Sequence, residues 1–243
     1  MKPGALSRVF EYHEPRSGCR RGKSALPQTD REKEQEDRMI KNIVFDMGNV
    51  LVDYTADGVC RHFIEDQETR KKVSTSVFVS PEWILLDMGV MPEEMALKKM
   101  QARLDTEEER SLAALCFYRW HEFNMYKKEG MEDVVRWLKS MGYGIYLCSN
   151  ASVRLLSCYK DVLPAVDCFD GILFSADVLC LKPQKEIYVH LFKRFGLKPE
   201  ECFFVDDLEL NIEGARRCGM DGYCFDDGNV EKLREVLAGL NRR

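Results

Sequence analysis

The stretch NIVFDMGNVLVDY, residues 42–54, predicts a buried strand that ends at a carboxylate and is followed by a turn. The carboxylate is Asp46, and an aspartate at the end of a buried strand is a candidate nucleophile or metal ligand. An attacking aspartate is usually helped by a second acid nearby, and the residue two positions later is Gly48. Glycine has no side chain, so the stretch indicates a strand-end site and leaves the source of its acid open.

The composition excludes several classes of protein. The chain has 243 residues, 45% of them hydrophobic, so it can bury one core with or without an insertion. A net charge of -5 argues against nucleic acid as a partner, because phosphate backbones favour a basic surface. No apolar run approaches the roughly 20 residues that span a bilayer. The N-terminal residues also lack the apolar core of a secretory signal, so we predict a cytoplasmic protein that binds no membrane.

The ten cysteines give no sign of a zinc or disulfide framework. They are scattered along the chain and never form a Cys-x-x-Cys pair. Cys148, Cys202 and Cys224 lie inside strand-like runs, where a free cysteine behaves as a small apolar residue. We therefore expect free thiols, as is usual in a reducing compartment.

Three regions differ in their pattern. Residues 1–38 are polar and charged, which predicts a disordered or dispensable N-terminal extension. Residues 39–54 and 129–243 alternate short apolar runs with helical periodicity, which predicts an α/β fold whose parallel sheet is covered by helices on both faces. Residues 55–128 contain helical segments and no convincing strand, so we predict an inserted all-helical cap over the site.

Polar residues follow successive predicted strands, and in a parallel sheet these ends meet at one crevice. Carboxylates can hold Mg²⁺ there, while an ammonium and a hydroxyl neutralise phosphoryl oxygens. Each residue alone also has an ordinary explanation as a helix cap, turn or solvated loop residue. The candidates are Asp46, Ser149, Asn150, Lys182, Asp206 and Asp207.

Four ordered motifs resemble those of the haloacid dehalogenase-like superfamily, whose core is a Rossmann-like sheet. They are FDMGNVLVD, LCSN, LCLKPQKEIY and FFVDDLELNIEGARRCG, and the resemblance extends over nearly all of residues 40–240. The forms Asp-x-Gly-Asn-Val and VDDxxxNIEGA are most similar to the branch that includes bacterial α-D-glucose-1-phosphate phosphatase. The resemblance implies a Mg²⁺-dependent phosphatase that acts on a small phosphorylated metabolite.

The resemblance also implies a role for each motif residue. Asp46 would attack phosphorus to form an aspartyl-phosphate, and Lys182 would bridge Asp46 and the phosphate. Ser149 and the backbone amide of Asn150 would bind phosphoryl oxygens. Mg²⁺ would be held by Asp46, the carbonyl of Gly48, Asp206 and Asp207, and Asn211 would orient the acidic loop.

In most phosphatases of the superfamily, an aspartate stands where this chain has Gly48. Loss of general acid help costs about 10²–10⁴ in rate, unless the leaving group departs easily or another group supplies the proton. An anomeric sugar phosphate has a comparatively acidic leaving hydroxyl and suffers less from the loss. Other candidate acids are His62, His121 and Asp53, although for Asp53 we favour a structural role at the turn into the cap. Trp83, Asp87, Trp120 and His121 are cap residues that could contact substrate.

Two other functions are compatible with these motifs. The same fold can direct Asp46 at carbon, as a carbon-halogen or epoxide hydrolase, although that chemistry has no use for the Asp206–Asp207 pair. A degenerate member that binds a phosphorylated ligand or a protein without turnover would explain Gly48. The sequence leaves the substrate and the oligomeric state open.

Overall fold

The computed structural model describes residues 39–240, and the extension predicted for residues 1–38 lies outside this range. Its main feature is a five-stranded sheet in the order β5-β4-β1-β6-β7, with every neighbouring pair parallel. The predicted α/β fold with a parallel sheet is thereby confirmed. The strands are β1 Asn42–Phe45, β4 Gly144–Ser149, β5 Gly171–Phe174, β6 Cys202–Asp206 and β7 Asp221–Cys224.

Both faces of the sheet are buried, as the central strand shows. Ile43 and Phe45 belong to one apolar cluster, whereas Val44 between them belongs to another. Successive side chains of a strand point to opposite faces, so helices cover the sheet on both sides. The core helices are Met131–Ser140, Leu155–Val162, Ser175–Val178, Lys185–Phe195, Glu209–Arg217 and Val230–Ala238, with short 3₁₀ turns at Val166–Cys168 and Pro199–Glu201.

Five helices, here called the cap helices, lie between β2 (Val52–Tyr54) and β3 (Met125–Lys127). The longest begins with a capping box, in which Thr106 and Glu109 exchange side-chain and backbone hydrogen bonds. The cap helices are Gly58–Phe63, Gln67–Phe78, Pro81–Asp87, Glu93–Gln101 and Glu107–Phe123.

The expectation that residues 55–128 contain no strand is wrong at β3. Its three residues pair antiparallel with β2, with Tyr54 opposite Met125. Three residues are too few to show a period-two pattern, and the partner lies some seventy positions away in the chain. The two-stranded ribbon connects the cap helices to the core.

Two expectations from composition can be compared with the described residues. The nine cysteines in this range are all free thiols, and six of them are buried. Within residues 39–240, no helix is both long enough and apolar enough to cross a membrane.

Asn124 joins the two ends of the cap segment. Its side chain is fully buried at the end of the longest cap helix. Its Oδ1 accepts a hydrogen bond from the backbone N–H of Val59 at 2.7 Å, and its Nδ2 donates to the carbonyl of Ala56 at 3.2 Å. The single carboxamide therefore holds the start of the first cap helix against the end of the last one.

We expect Asn124→Ala to lower the free energy of unfolding by about 1–3 kcal/mol, because a buried N–H and a carbonyl lose their partner. Urea unfolding followed by circular dichroism measures the change. Gln67→Ala removes an exposed carboxamide and should stay within about 0.5 kcal/mol of the parent. Equal stability of the two variants would contradict the role of Asn124 as the connection.

Candidate active site

Three neighbouring strands bring polar side chains to the same edge of the sheet. Asp46 directly follows β1, Ser149 is the last residue of β4 and Asp206 is the last residue of β6. Because β1 lies between β4 and β6, the ends of these strands converge. All three side chains are buried, so their polar atoms need partners within the protein.

Lys182 forms ion pairs with both of these aspartates. Its Nζ lies 2.7 Å from Asp46 Oδ1 and 2.6 Å from Asp206 Oδ2. It also lies 5.3 Å from the ring centre of Phe204, a cation–π distance. The ammonium group is buried and has an anionic partner on two adjacent strands.

The pKa values follow from this arrangement. Burial by itself would lower the pKa of Lys182, but the carboxylates of Asp206 and Asp46 raise it well above its usual range, so the ammonium stays charged. Burial raises the pKa of Asp46 to about 6, the Asp206 charge adds to the rise, and Lys182 and the Ser149 hydroxyl counteract it. A further positive charge beside Asp46 would therefore stabilise its ionised form.

The acidic cluster fits a divalent cation. Asp46, Asp206 and Asp207 each offer a carboxylate oxygen, and these atoms lie within 4.8 Å of one another. Three carboxylates and the one ammonium leave two uncompensated negative charges. Lys182 Nζ lies 2.7 Å from the buried Asp46 Oδ1, but this one ammonium does not balance three carboxylates, so the cluster can ligate an ion. Hard carboxylate oxygens in this number match the ligands that Mg²⁺ prefers.

The two aspartates of the acidic loop are held differently. Asp206 Oδ1 accepts hydrogen bonds from Asn211 Nδ2 and from the Leu208 backbone N–H, both at 2.9 Å, while its Oδ2 faces Lys182. Asp207 is only partly buried, and its Oδ2 accepts a hydrogen bond from Asn49 Nδ2 at 3.0 Å. Asp206 therefore accepts three bonds from protein donors, and Asp207 retains more oxygen capacity for a cation.

The side chain of Asn150 binds the backbone of Lys182, a contact that the sequence did not predict. Its Oδ1 accepts the backbone N–H of Lys182 at 2.8 Å, and its Nδ2 donates to the carbonyl of the same residue at 3.1 Å. This pair of bonds fixes the backbone of Lys182 beside β4. The side chain of Asn150 thus places the ammonium, which leaves only its backbone amide free for a ligand.

The backbone conformation at position 48 does not require a glycine. The left-handed residue in this turn is Asn49, with φ 56°, and Gly48 is not in that region. A Cβ built on Gly48 would have no atom within 4 Å. The missing side chain therefore leaves open space beside Asp46.

A cavity of about 170 Å³ lies above these groups, between the core and the cap helices. Tyr54, Trp83 and Trp120 form an aromatic wall, and Asp87 adds a second carboxylate to the one on Asp46. The core side is formed by Asp46, Met47, Gly48, Asn49, Val52, Met125, Ser149, Asn150, Ala151, Ser152 and Leu155.

Asp53 and the two cap histidines do not line this cavity. Asp53 is exposed, lies between the cavity-lining Val52 and Tyr54 on the same strand, and forms an ion pair with Lys128. Alternation along a strand therefore directs it away from the cavity. His62 is exposed and stacks on Phe123 at 4.2 Å between ring centres, and His121 is partly buried outside the cavity lining.

The sequence profile of the haloacid dehalogenase-like hydrolases matches residues 40–219. The chain belongs to this family. Its motif spacing had indicated the same superfamily, and that prediction is confirmed together with its classification as a hydrolase.

Several relatives of this haloacid dehalogenase-like hydrolase are phosphatases. D-ribitol-5-phosphate phosphatase of Bacteroides thetaiotaomicron is 30% identical over 215 residues, which cover 84% of this chain and 100% of the relative. A sesquiterpene phosphatase of Aspergillus oryzae is 25% identical over 81% of this chain and 96% of its own length. A Bacteroides thetaiotaomicron enzyme of the family, solved with magnesium and inorganic phosphate, superimposes with a TM-score of 0.58 at 21% identity, covering 76% of this chain and 93% of that one.

Sequence reasoning about this hydrolase named Asp87 only as one of several cap residues that could contact substrate, and it did not name Tyr54 as a cavity residue. Asp87 interrupts the apolar run ILLDMGV at the end of a cap helix, where an uncompensated carboxylate is a weak signal of function. In the sequence, Tyr54 is only the last residue of the stretch 42–54 and lies just after the first motif.

We expect Lys182→Met to destabilise this hydrolase by about 3–5 kcal/mol, because two buried carboxylates lose their shared counter-charge. Urea unfolding in a chelating buffer measures the change without help from a cation. Lys160→Met, at an exposed position, serves as the control and should be nearly neutral. Similar stability of the two variants would mean that the Lys182 ion pairs contribute nothing to the fold.

Proposed function

We propose that this protein is a Mg²⁺-dependent phosphatase that hydrolyses the phosphate ester of a small metabolite through an aspartyl-phosphate. The observation that carries the proposal is a single buried ammonium, Lys182, which is shared by Asp206 and by Asp46, and Asp46 lines the cavity. This arrangement keeps Asp46 ionised and directed at the cavity. The ionised Asp46 carboxylate is suited to attack an electrophile that carries negative charge.

The chain's own groups divide the chemistry between them. A carboxylate oxygen of Asp46 forms a bond to phosphorus while the bond from phosphorus to the leaving oxygen breaks, and water later displaces the phosphate from Asp46. Lys182, the Ser149 hydroxyl and the Asn150 amide would compensate charge on the phosphoryl oxygens. Mg²⁺, held by Asp46, Asp207, the carbonyl of Gly48 and, directly or through water, Asp206, would supply charge neutralisation and orientation of the phosphate.

The cavity and the relatives together support a proposed class of substrate. A volume of about 170 Å³ suits a small ligand, and the walls of Tyr54, Trp83 and Trp120 provide apolar surface beside a few polar groups. A relative that acts on a sugar alcohol phosphate supports a sugar or polyol phosphate. The form of the first motif makes glucose 1-phosphate one candidate, and the cap helices would close over it.

The acidic cluster favours this function over the two alternatives. A carbon-halogen or epoxide hydrolase needs no cation, whereas the three carboxylates here carry two negative charges beyond Lys182. A binding protein without turnover would not require a carboxylate that is held ionised beside the cavity, as Asp46 is. Hydrolysis of p-nitrophenyl phosphate with and without Mg²⁺ distinguishes all three functions.

Asp46→Asn should abolish phosphatase activity, because the amide keeps the shape of the side chain and removes the attacking charge. The measurement is phosphate release from p-nitrophenyl phosphate and from a panel of sugar phosphates. Asp53→Asn is the matched control, since Asp53 lies on the same segment and faces away from the cavity. A tenth of the parent activity retained in Asp46→Asn would exclude the covalent mechanism.

Mg²⁺ should raise the melting temperature of the parent protein, because a ligand of the folded state stabilises it by about 2.7 kcal/mol at a hundred times its Kd. Asp207→Ala should remove most of this shift, since it deletes the most accessible carboxylate of the cluster. Asp226→Ala, which removes an exposed carboxylate outside the cluster, should keep it. An undiminished Mg²⁺ shift in Asp207→Ala would place the cation elsewhere.

A further inference from the structure

A second carboxylate faces the cavity from the cap helices. Asp87 is the last residue of the helix Pro81–Asp87, and it lines the same cavity as Asp46. Of the residues that line this cavity, only these two carry a carboxyl group. Asp87 lies in the cap wall with Trp83 and Trp120, whereas Asp46 lies on the core side.

The backbone around Asp87 is held firmly against the core. Ser175 Oγ donates a hydrogen bond to the carbonyl of Asp87 and accepts one from the backbone N–H of Ala151 at 2.8 Å. Two residues on, Gly89 has φ 75° and approaches so closely that an added Cβ would lie 2.4 Å from the carbonyl oxygen of Ala176. The end of this cap helix is therefore fixed beside the end of β4 and the loop that follows it, where Ser149 and Asn150 lie.

The Asp87 carboxyl has no cationic partner. Among residues 39–240, no ion pair includes it, in contrast to Asp46 and Asp53. Burial raises the pKa of Asp87 to about 7, and the backbone amide of Ser152 lowers it in part. An acid whose pKa lies close to the working pH is the most effective proton donor, because both of its forms are populated.

The other titratable groups near Asp87 are poorly suited to donate a proton. Burial raises the pKa of the Tyr54 phenol to about 12, the nearby Asn124 side chain lowers it in part, and the Asp87 charge adds to the rise. Asp46 is required as the nucleophile in the proposed function. Asp53, His62 and His121, the acids considered from the sequence, lie outside the cavity lining.

We propose that Asp87 is the general acid and base of the reaction, in the role that Gly48 leaves empty. This inference rests on the proposed phosphatase function. As Asp46 bonds to phosphorus and the leaving oxygen departs with its electron pair, the Asp87 carboxyl transfers its proton to that oxygen. The resulting Asp87 carboxylate then takes a proton from the water that attacks phosphorus, which releases Asp46 and phosphate and restores the Asp87 carboxyl.

The arrangement predicts how the rate depends on the leaving group. A protonated leaving oxygen develops little charge, so the parent enzyme should show a shallow dependence of kcat/KM on leaving-group acidity. Asp87→Asn keeps the size of the side chain and its hydrogen bonding but cannot donate the proton. It also removes a partly buried charge, so we expect it to fold at least as stably as the parent.

The experiment measures kcat/KM, which reports formation of the aspartyl-phosphate, for a series of phosphate esters from p-nitrophenyl phosphate to glycerol phosphate. Asp87→Asn should lower kcat/KM for the alkyl ester by about 10²–10⁴ and for the p-nitrophenyl ester by less than about threefold, because nitrophenolate leaves without a proton. Asp105→Asn, at an exposed cap position, is the matched control and should leave the whole series unchanged.

Two results would overturn the inference while leaving the proposed function intact. A uniform loss across the series in Asp87→Asn would assign Asp87 to substrate binding, and an unchanged series would assign it no part in the reaction. Absence of turnover of every ester by the parent enzyme in Mg²⁺ is a different result, since it would overturn the phosphatase function and this inference together.

Discussion

The buried ammonium of Lys182 is the interaction on which the rest of the site depends. Strands β1 and β6 run side by side, so their carboxyl ends necessarily bring Asp46 and Asp206 close together. Two carboxylates that are buried without a counter-charge would repel each other and take up protons. The position of Lys182 between them permits both to stay ionised. Hydrogen bonds then fix this arrangement. Asn150 binds the backbone of Lys182, and Asn211 and Leu208 donate to Asp206.

The same charges explain why cation and substrate binding should be linked. With Lys182 counted, the cluster of Asp46, Asp206 and Asp207 retains two negative charges, which oppose the entry of a phosphate dianion. A divalent cation cancels that excess. Asp206 and Asp207, together with Ser149 and Asn150, which we propose to bind phosphate, therefore belong to one electrostatic unit, although they come from different strands.

The sequence predicts those parts of the structure whose signals lie within a short stretch of chain. The strand ends at Asp46, Ser149 and Asp206 follow from apolar runs, and parallel alternation places them together. Contacts between distant segments were not visible in the pattern. The pairing of β2 with β3 joins two strands of three residues each. The hydrogen bonds between Asn150 and the backbone of Lys182 join residues thirty-two positions apart. Asp87 was visible as a carboxylate in an apolar run, but its place in the cavity depends on how the cap helices pack on Ser175 and Ala176.

The empty space at Gly48 and the position of Asp87 fit one arrangement of the site. Since a Cβ at Gly48 would meet nothing within 4 Å, the glycine is not required by the turn, and its missing side chain enlarges the cavity next to Asp46. An acid at that position would be part of the core and would act on any ester that reached Asp46. An acid at Asp87 belongs instead to the wall formed with Trp83 and Trp120. Proton transfer would then occur only when a leaving group lies against that wall, so the residues that select the substrate would also control its chemistry.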